Sequence, residues 1–406
     1  MDDWRKRVSR ERLEPYFRLH REAHLNIIRN WVGQNTEDVF YDLADEYGLL
    51  ILNDFWASTQ DFQLEPQDVP LFLANAADVI SRYRNHPSIA LWFGRNEGVP
   101  QPILNEGLQQ LVHDLDGTRY YSGSSNRVNL RDSGPYNYRD PASYFTEHAK
   151  GFAVEVGTPS FPTLEAFEAI VPPQDRWPIS DDWAYHDWHQ DGNGATGSFM
   201  KAMADRLGAP TGLEDFERKA QLMNYETYRA VFEGMNAQLW TRSSGRMLWM
   251  TQPAWPSTMW QIYSHDYDTH AAFYGVKAAA EPVHIQISPP DQRLELVNNT
   301  LAPIRGVAVR ARIISLAGKP LAERRFTLDV AADDVTIGQS LDLDDLLAAN
   351  GVLIVRLDAD SSAGATLSGN LYWLTRSLSP PAERSAARPS PIAPGSRRRR
   401  GSASRR

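Results

Sequence analysis

Apolar positions fall into two regimes along the chain. From Arg10 to about residue 281, short apolar runs alternate with amphipathic stretches, the pattern of βα units around a parallel sheet. Helical spacing covers RERLEPYFRLHREAH from Arg10, DVFYDLADEYG from Asp38, PLFLANAADVISRYRNH from Pro70 and the long segment 213–237. Strands are predicted at NIIRNW from Asn26, LLILNDFW from Leu49, SIALWFG from Ser88 and RYYSGSS from Arg119, and then at GFAVEVG from Gly151 and GRMLWMTQ from Gly245. This order suits an α/β fold, a (β/α)8 TIM-type barrel over residues 1–281. The segment opens on a helix, so its first strand is expected to be missing and the barrel incomplete at the N-terminus.

Residues 282–378 change period. Seven β-rich runs recur: VHIQIS, RLELVNN, VAVRARIIS, RRFTLDV, VTIGQSL, VLIVRLDAD and NLYWL. Asn298-Asn299, Ala317-Gly318 and Asn350-Gly351 separate several of them. Seven short alternating strands over about 95 residues predict an immunoglobulin-like β-sandwich. No catalytic constellation lies in it. Residues 379–406 are almost entirely Pro, Ser, Ala, Arg and Gly, and predict a disordered basic tail.

Charge and composition narrow the function. The chain of 406 residues carries a formal net charge of −9, yet residues 384–406 hold eight arginines and no acid. The first 383 residues therefore carry about −17, which argues against a nucleic-acid-binding fold. Only Arg397 to Arg400 offer a patch for polyanions. With no cysteine there are no disulfides, thiol nucleophiles or Cys-ligated metals. No apolar run approaches the roughly 18 residues of a membrane span, and MDDWRKRVSR is no signal peptide. The sequence leaves compartment and oligomeric state open.

In a barrel of this type the chemistry sits at the C-terminal ends of the strands. Counting from strand two, the polar residues there are Arg29 and Asn30, Asp54, then Asn96 and Glu97, Tyr136 and Tyr138, and Glu155, with Trp249, Gln252 and Trp255 after strand eight. Two carboxylates converging on one mouth, ringed by aromatic and amide groups, suit glycoside hydrolysis, which needs one proton donor and one carboxylate at the anomeric carbon. No strong metal-ligand spacing, GxSxG elbow, phosphate loop or dinucleotide fingerprint competes. His186 and His189 have HxxH spacing without a third ligand in view. A loop histidine bonded to substrate or backbone is the reading preferred for them. Trp183, Trp188 and Trp255 lie in Gly/Pro/Asp-rich loops, where they are expected to stack on sugar faces.

WFGRNEGVP (Trp92 to Pro100) and FAVEVGTPSFP (Phe152 to Pro162) resemble the two catalytic segments of glycoside hydrolase family 2. IIRNW, LADEYGLLILNDFW, RNHPSIALW, GPYNY, WAYHDWHQDG, KAQLMNYETYRAVFEG and YGVKAAAEPVHIQ match in order, from about residue 10 to 375. They are similar to the branch holding β-mannosidases, endo-β-mannosidases and exo-β-glucosaminidases. The resemblance implies Glu97 as acid/base, Glu155 as nucleophile, Asn96 as ligand of the sugar 2-hydroxyl, and Arg29 beneath the nucleophile, keeping it ionised. Asp54, Tyr138, Trp183, His186 and Trp255 complete the expected substrate-binding set, although Asp54 could equally cap the next helix. It further implies a retaining mechanism with an oligosaccharide or glycan substrate and no metal or organic cofactor.

The family's full-length members carry further sandwich domains before the barrel, which these residues lack. An incomplete protein is therefore expected, and periplasmic or extracellular placement would depend on a signal in the part not present. Arg95 beside the acid/base leans toward a neutral sugar over glucosamine. A non-catalytic carbohydrate-binding remnant is the alternative of a different class.

Overall fold

The computed structural model describes residues 8–59, 65–127, 129–253 and 255–375. Its first part builds strands and helices in alternation: α1 (Arg10–Glu22), β1 (Ile27–Asn30), α2 (Asp38–Tyr47), β2 (Leu50–Asp54), α3 (Val69–Tyr83), β3 (Ile89–Phe93), α4 (Pro102–Leu111) and β4 (Tyr120–Ser122). Then follow β5 (Gly151–Val156), α5 (Leu164–Ile170), α6 (Asp181–Tyr185), α7 (Gly197–Leu207), α8 (Leu213–Asn236), β6 (Ser243–Leu248) and α9 (Ala271–Ala279). Local chemistry sets the ends. Ser9 caps α1 by accepting from the Arg12 amide, and Asp68 caps α3 from the Leu71 amide with Pro70 in the first turn. Gly48, at φ +64°, closes α2 in the left-handed region that a glycine adopts without strain.

The parallel strands lie in two sheets. One runs β1-β2-β3-β4 and the other is the pair β5-β6. Arg131 forms a parallel bridge to Ala153 and so adds a minimal strand outside β5. The parallel strands follow the order in which the sequence pattern placed them. β1 and β6 each leave one edge unpaired among the described residues. Between them lies a cavity of about 940 Å³, lined by α1 (Leu13, Tyr16, His20), β1 and β6. It reaches Arg29 and Glu155.

Parity along the strands sorts the side chains. Leu52, Phe93, Val154 and Met247 form one small cluster, with Ile27, Leu91 and Phe152 packed against it. Their neighbours Ile51, Trp92, Ala153 and Val156 enter the larger core shared with α1, α2, α3, α8 and α9. A third cluster joins Tyr138, which precedes β5, to the segment after it: Phe161, Phe167, Trp183, Trp188, Phe199 and Phe216.

The second part is antiparallel. Strands β7 (Val283–Ser288), β8 (Arg293–Asn298), β9 (Ile304–Ser315), β10 (Pro320–Val330), β11 (Asp334–Ser340), β12 (Val352–Asp360) and β13 (Thr366–Thr375) form two sheets, with a short helix α10 (Asp344–Asn350) before β12. Their orders are β10-β9-β12-β13 and β11-β8-β7. Ile285, Leu294 and Leu296 from one sheet share a core with Val307, Val309, Leu353 and Val355 from the other. All seven expected strands are present, as a two-sheet sandwich. The expected basic tail, residues 379–406, lies outside the described residues, except that nothing of 376–378 is described either.

Candidate active site

Arg29 organises the mouth of the parallel strands. Its register partner on β2 is Leu52, an inward-facing residue, so Arg29 shares that face, two residues before Asp54. It donates through Nε to Asp54 Oδ1 at 3.0 Å and through Nη2 to Asp54 Oδ2 at 2.6 Å. Nη2 also reaches Asn96 Oδ1 at 2.7 Å, and Nη1 reaches Glu155 Oε1 at 2.5 Å. The guanidinium stacks over the Phe93 ring at 5.6 Å. Its neighbour Asn30 faces the other way and donates to Asn53 Oδ1 at 2.8 Å, which Tyr41 also donates to.

Glu155 ends β5. The β5-β6 register slips between Ala153 and Val156, an irregularity that re-aims a side chain where strict alternation would point it elsewhere. The Tyr136 hydroxyl donates to Glu155 Oε2 at 2.5 Å and lies 3.3 Å from Glu97 Oε1. One phenolic oxygen within reach of both carboxylates brings Glu97 Oε1 and Glu155 Oε2 within about 6 Å of each other. Thr59 Oγ1 donates to Glu97 Oε2 at 3.2 Å and accepts from Asn96 Nδ2 at 2.8 Å. Glu97 sits at φ +45°, held by its amide on Ser125 Oγ at 3.0 Å. Backbone strain of this kind in a non-glycine residue concentrates at functional sites.

Burial pushes the Glu155 carboxyl above its ordinary range, and Arg29 and the Tyr136 hydrogen bond only partly oppose it. Asp54 is raised likewise by burial against the pull of Arg29. One guanidinium serves two buried carboxylates.

The expected residues divide. Arg29, Asp54, Asn96, Glu97 and Glu155 form one connected network. Asp54 neither caps the next helix nor presents a free oxygen, since Oδ2 also accepts from the Val32 amide at 3.0 Å. Tyr138 stays apart: it packs edge-on to Phe199, and its hydroxyl accepts from Arg206 at 3.1 Å. Trp183, expected as a sugar platform, is fully buried, stacked on Phe161, with Nε1 on the carbonyls of Asp175 and Arg176. Trp188 is buried in the same cluster. In each case the apolar cluster beneath the loops recruits an indole that loop composition suggested was exposed. Trp255 is half-buried and stacks on His186 at 5.5 Å and 21°, while His186 Nδ1 bonds the Pro256 carbonyl at 2.7 Å. Arg95 is buried and pairs with Glu65 at 2.8 Å, so its charge carries no argument about the sugar.

Two residues were missed as site members. Tyr136 was noted at the strand end but set behind Tyr138, and Thr59 gave no signal. The Gly134-Pro135 turn preceding Tyr136 is the sequence feature that marks it.

No protein-family model matches the chain. It is 31% identical to the mannosylglycoprotein endo-β-mannosidase of Lilium longiflorum over 92% of this chain and 45% of that one. It is 28% identical to an exo-β-D-glucosaminidase of Streptomyces avermitilis, over 89% and 43%. The chain therefore spans less than half the length of the curated relatives it matches. In fold it is similar to the exo-chitosanase of Amycolatopsis orientalis, with TM-score 0.83 and 23% identity over 91% of this chain and 47% of that one. It is also similar to the β-D-mannosidase of Dictyoglomus thermophilum, with TM-score 0.75 and 21% identity over 91% and 48%. These relatives are named as glycosidases, and they fit a grouping like glycoside hydrolase family 2.

Proposed function

We propose that this chain is the catalytic portion of a retaining β-glycoside hydrolase of β-mannosidase type, acting on an oligosaccharide or glycan. The observation that carries the reading is the shared reach of Tyr136 to Glu97 and Glu155, which suits a double displacement. Glu155 attacks the anomeric carbon as the glycosidic bond breaks, and Glu97 gives its proton to the departing oxygen. Glu97 then takes a proton from water, whose oxygen displaces Glu155. Asn96, oriented by Arg29 and Thr59, is the hydrogen-bonding partner for the sugar 2-hydroxyl. Trp255 is the aromatic surface assigned to the substrate.

In this reading the parallel strands belong to a (β/α)8 barrel, with the cavity between β1 and β6 standing at the position of the first strand. Exo-β-glucosaminidase and endo-β-mannosidase activities are the alternatives within the same chemistry, since relatives carry those names.

The test is hydrolysis of nitrophenyl β-mannoside, β-glucosaminide, β-galactoside and β-glucuronide by this chain and by Glu155→Gln. The expected result is β-mannoside hydrolysis that Glu155→Gln abolishes. Activity retained in the variant overturns the assignment of the nucleophile, and turnover of another sugar overturns the specificity. Sugar binding without turnover in a folded sample favours a non-catalytic module.

A further inference from the structure

Thr59 joins Asn96 to Glu97 through one hydroxyl, and the direction of each bond around it follows from Arg29. A guanidinium has no acceptor. Arg29 Nη2, 2.7 Å from Asn96 Oδ1, therefore donates, which fixes Oδ1 as the carbonyl oxygen of that side chain and Nδ2 as its amide nitrogen. Ser125 agrees: its Oγ accepts from the Glu97 amide at 3.0 Å, so its own proton is left for Asn96 Oδ1 at 3.5 Å.

An amide nitrogen only donates, so Thr59 Oγ1 accepts from Asn96 Nδ2 at 2.8 Å. The one proton of the hydroxyl is then directed at Glu97 Oε2, 3.2 Å away. Backbone holds the segment as well, since the Asn96 amide donates to the Ala57 carbonyl at 2.9 Å, two residues before Thr59.

Tyr136 stands on the other side of the same carboxyl. Burial, then the charge of Glu155, pushes its hydroxyl well above the ordinary range, so the phenol keeps its proton. That single proton goes to Glu155 Oε2 at 2.5 Å, and toward Glu97 Oε1 at 3.3 Å the phenolic oxygen is left to accept.

We infer, from the reading of Glu97 as proton donor, that Thr59 is a positioning residue for it: by donating to Oε2 it leaves Oε1, the oxygen on the Glu155 side, to carry the proton of the acid form. A proton on Oε2 facing Thr59 would set two hydrogens against each other and point away from the glycosidic oxygen. As the glycosidic bond breaks, the Oε1–H bond breaks with it. The proton passes to the departing oxygen and the electron pair stays on Glu97. Thr59 then donates to a full carboxylate, a bond that strengthens as the charge develops.

The test is kcat/KM of the full chain on aryl β-glycosides of the sugar that it turns over, with leaving groups of graded acidity. Departure of 2,4-dinitrophenol needs little protonation, whereas departure of phenol depends on it. General acid catalysis is worth about 10²–10⁴-fold, and a displaced acid keeps part of that. Thr59→Val is expected to widen the ratio of kcat/KM between dinitrophenyl and phenyl glycosides about tenfold, and Thr59→Ser to restore it. Glu97→Ala, run alongside, is expected to widen it further. An equal loss on both substrates in Thr59→Val overturns the inference, because a merely structural role lowers both alike, and so does no loss on either. Should Thr59→Val not fold, Thr59→Ala takes its place in the same ratio. A ratio unchanged in Glu97→Ala overturns instead the reading of Glu97 as the acid, and the role of Thr59 with it.

Discussion

Asp54 holds Arg29 with both carboxylate oxygens and leaves only Nη1 for Glu155. Asp54 thus acts through Arg29, fixing the plane of the guanidinium beside Glu155, the proposed nucleophile. Asp54→Asn keeps the shape but cannot accept at both positions, so Arg29 should lose its fixed orientation. Misplacement of a positioning group of this kind costs about 10²-fold in rate. The drop should appear in kcat rather than KM on nitrophenyl β-mannoside, and Arg29→Lys should not substitute, because an ammonium lacks the fork. An unchanged kcat in Asp54→Asn would remove Asp54 from this role.

In the proposed mechanism, Tyr136 should influence the acid limb of the pH profile. Burial raises the Glu155 carboxyl, and the Tyr136 hydroxyl is one of the groups pulling it back. Tyr136→Phe removes that donor, so Glu155 should protonate at still higher pH. Because a nucleophilic carboxylate works only when ionised, the acid limb of kcat/KM should move upward. A limb that stays in place would mean that another group sets it.

The same carboxyl costs the fold stability. Its native pKa lies above the ordinary value, so the native state holds that proton more tightly than the unfolded chain does. The favourable contribution is complete below the ordinary carboxylate range and lost as pH rises through the native value. Once pH has risen through the native value, the ionised group is therefore a net burden. Glu155→Gln, besides abolishing turnover, should stabilise the chain by about 0.5–2 kcal/mol, the range typical of relieved functional sites. A lower thermal midpoint in the variant would count against the shared-guanidinium argument.

Legibility in the sequence followed the range of the interaction. Parallel strands buried on both faces are near-continuous apolar runs, so β1, β2, β3, β5 and β6 stood out, and alternation gave all seven sandwich strands. Arg29, Asp54, Asn96, Glu97 and Glu155 were legible because each sits at or just beyond a strand end, where topology alone brings them together. Tyr136 and Tyr138 were not separable, since a two-residue difference in a loop depends on which ring the cluster around Phe199 accepts. The six-stranded count and the single bridge at Arg131 depend on pairing geometry that no local pattern encodes.

Trp183 and Trp255 show the same limit and can be told apart experimentally. Trp183 is packed against Phe161, Phe167 and Phe216, so Trp183→Ala should cost about 3–5 kcal/mol in denaturant unfolding. Trp255 stacks on His186, meets Tyr185 edge-on and hydrogen-bonds Asp187. Trp255→Ala should leave stability nearly unchanged and raise KM for an oligosaccharide. Equal destabilisation by the two would return Trp255 to the core.

The joint between the parallel part and the sandwich rests on Glu233 of α8. Its Oε1 accepts from Asn370 and Tyr372 at 2.8 Å each and lies 3.1 Å from His284 Nε2, all of them buried. Burial opposes the charge on Glu233, but Arg229 and His284 outweigh it and set the carboxyl below its ordinary 4.5. For His284 burial is likewise outweighed by Glu233 and Glu281, which raise it above its ordinary 6.5. The lowered acid contributes stability above its ordinary value and loses it as pH falls through the native one. The raised histidine contributes below its ordinary value and loses it as pH rises through the native one. Both contributions are complete together only between 4.5 and 6.5, so the thermal midpoint of the chain should peak there. Glu233→Gln leaves the Arg229 guanidinium buried without its partner and should cost about 3–5 kcal/mol. It should also abolish the peak. A variant that keeps the same pH optimum of stability would place the origin of that optimum elsewhere in the fold.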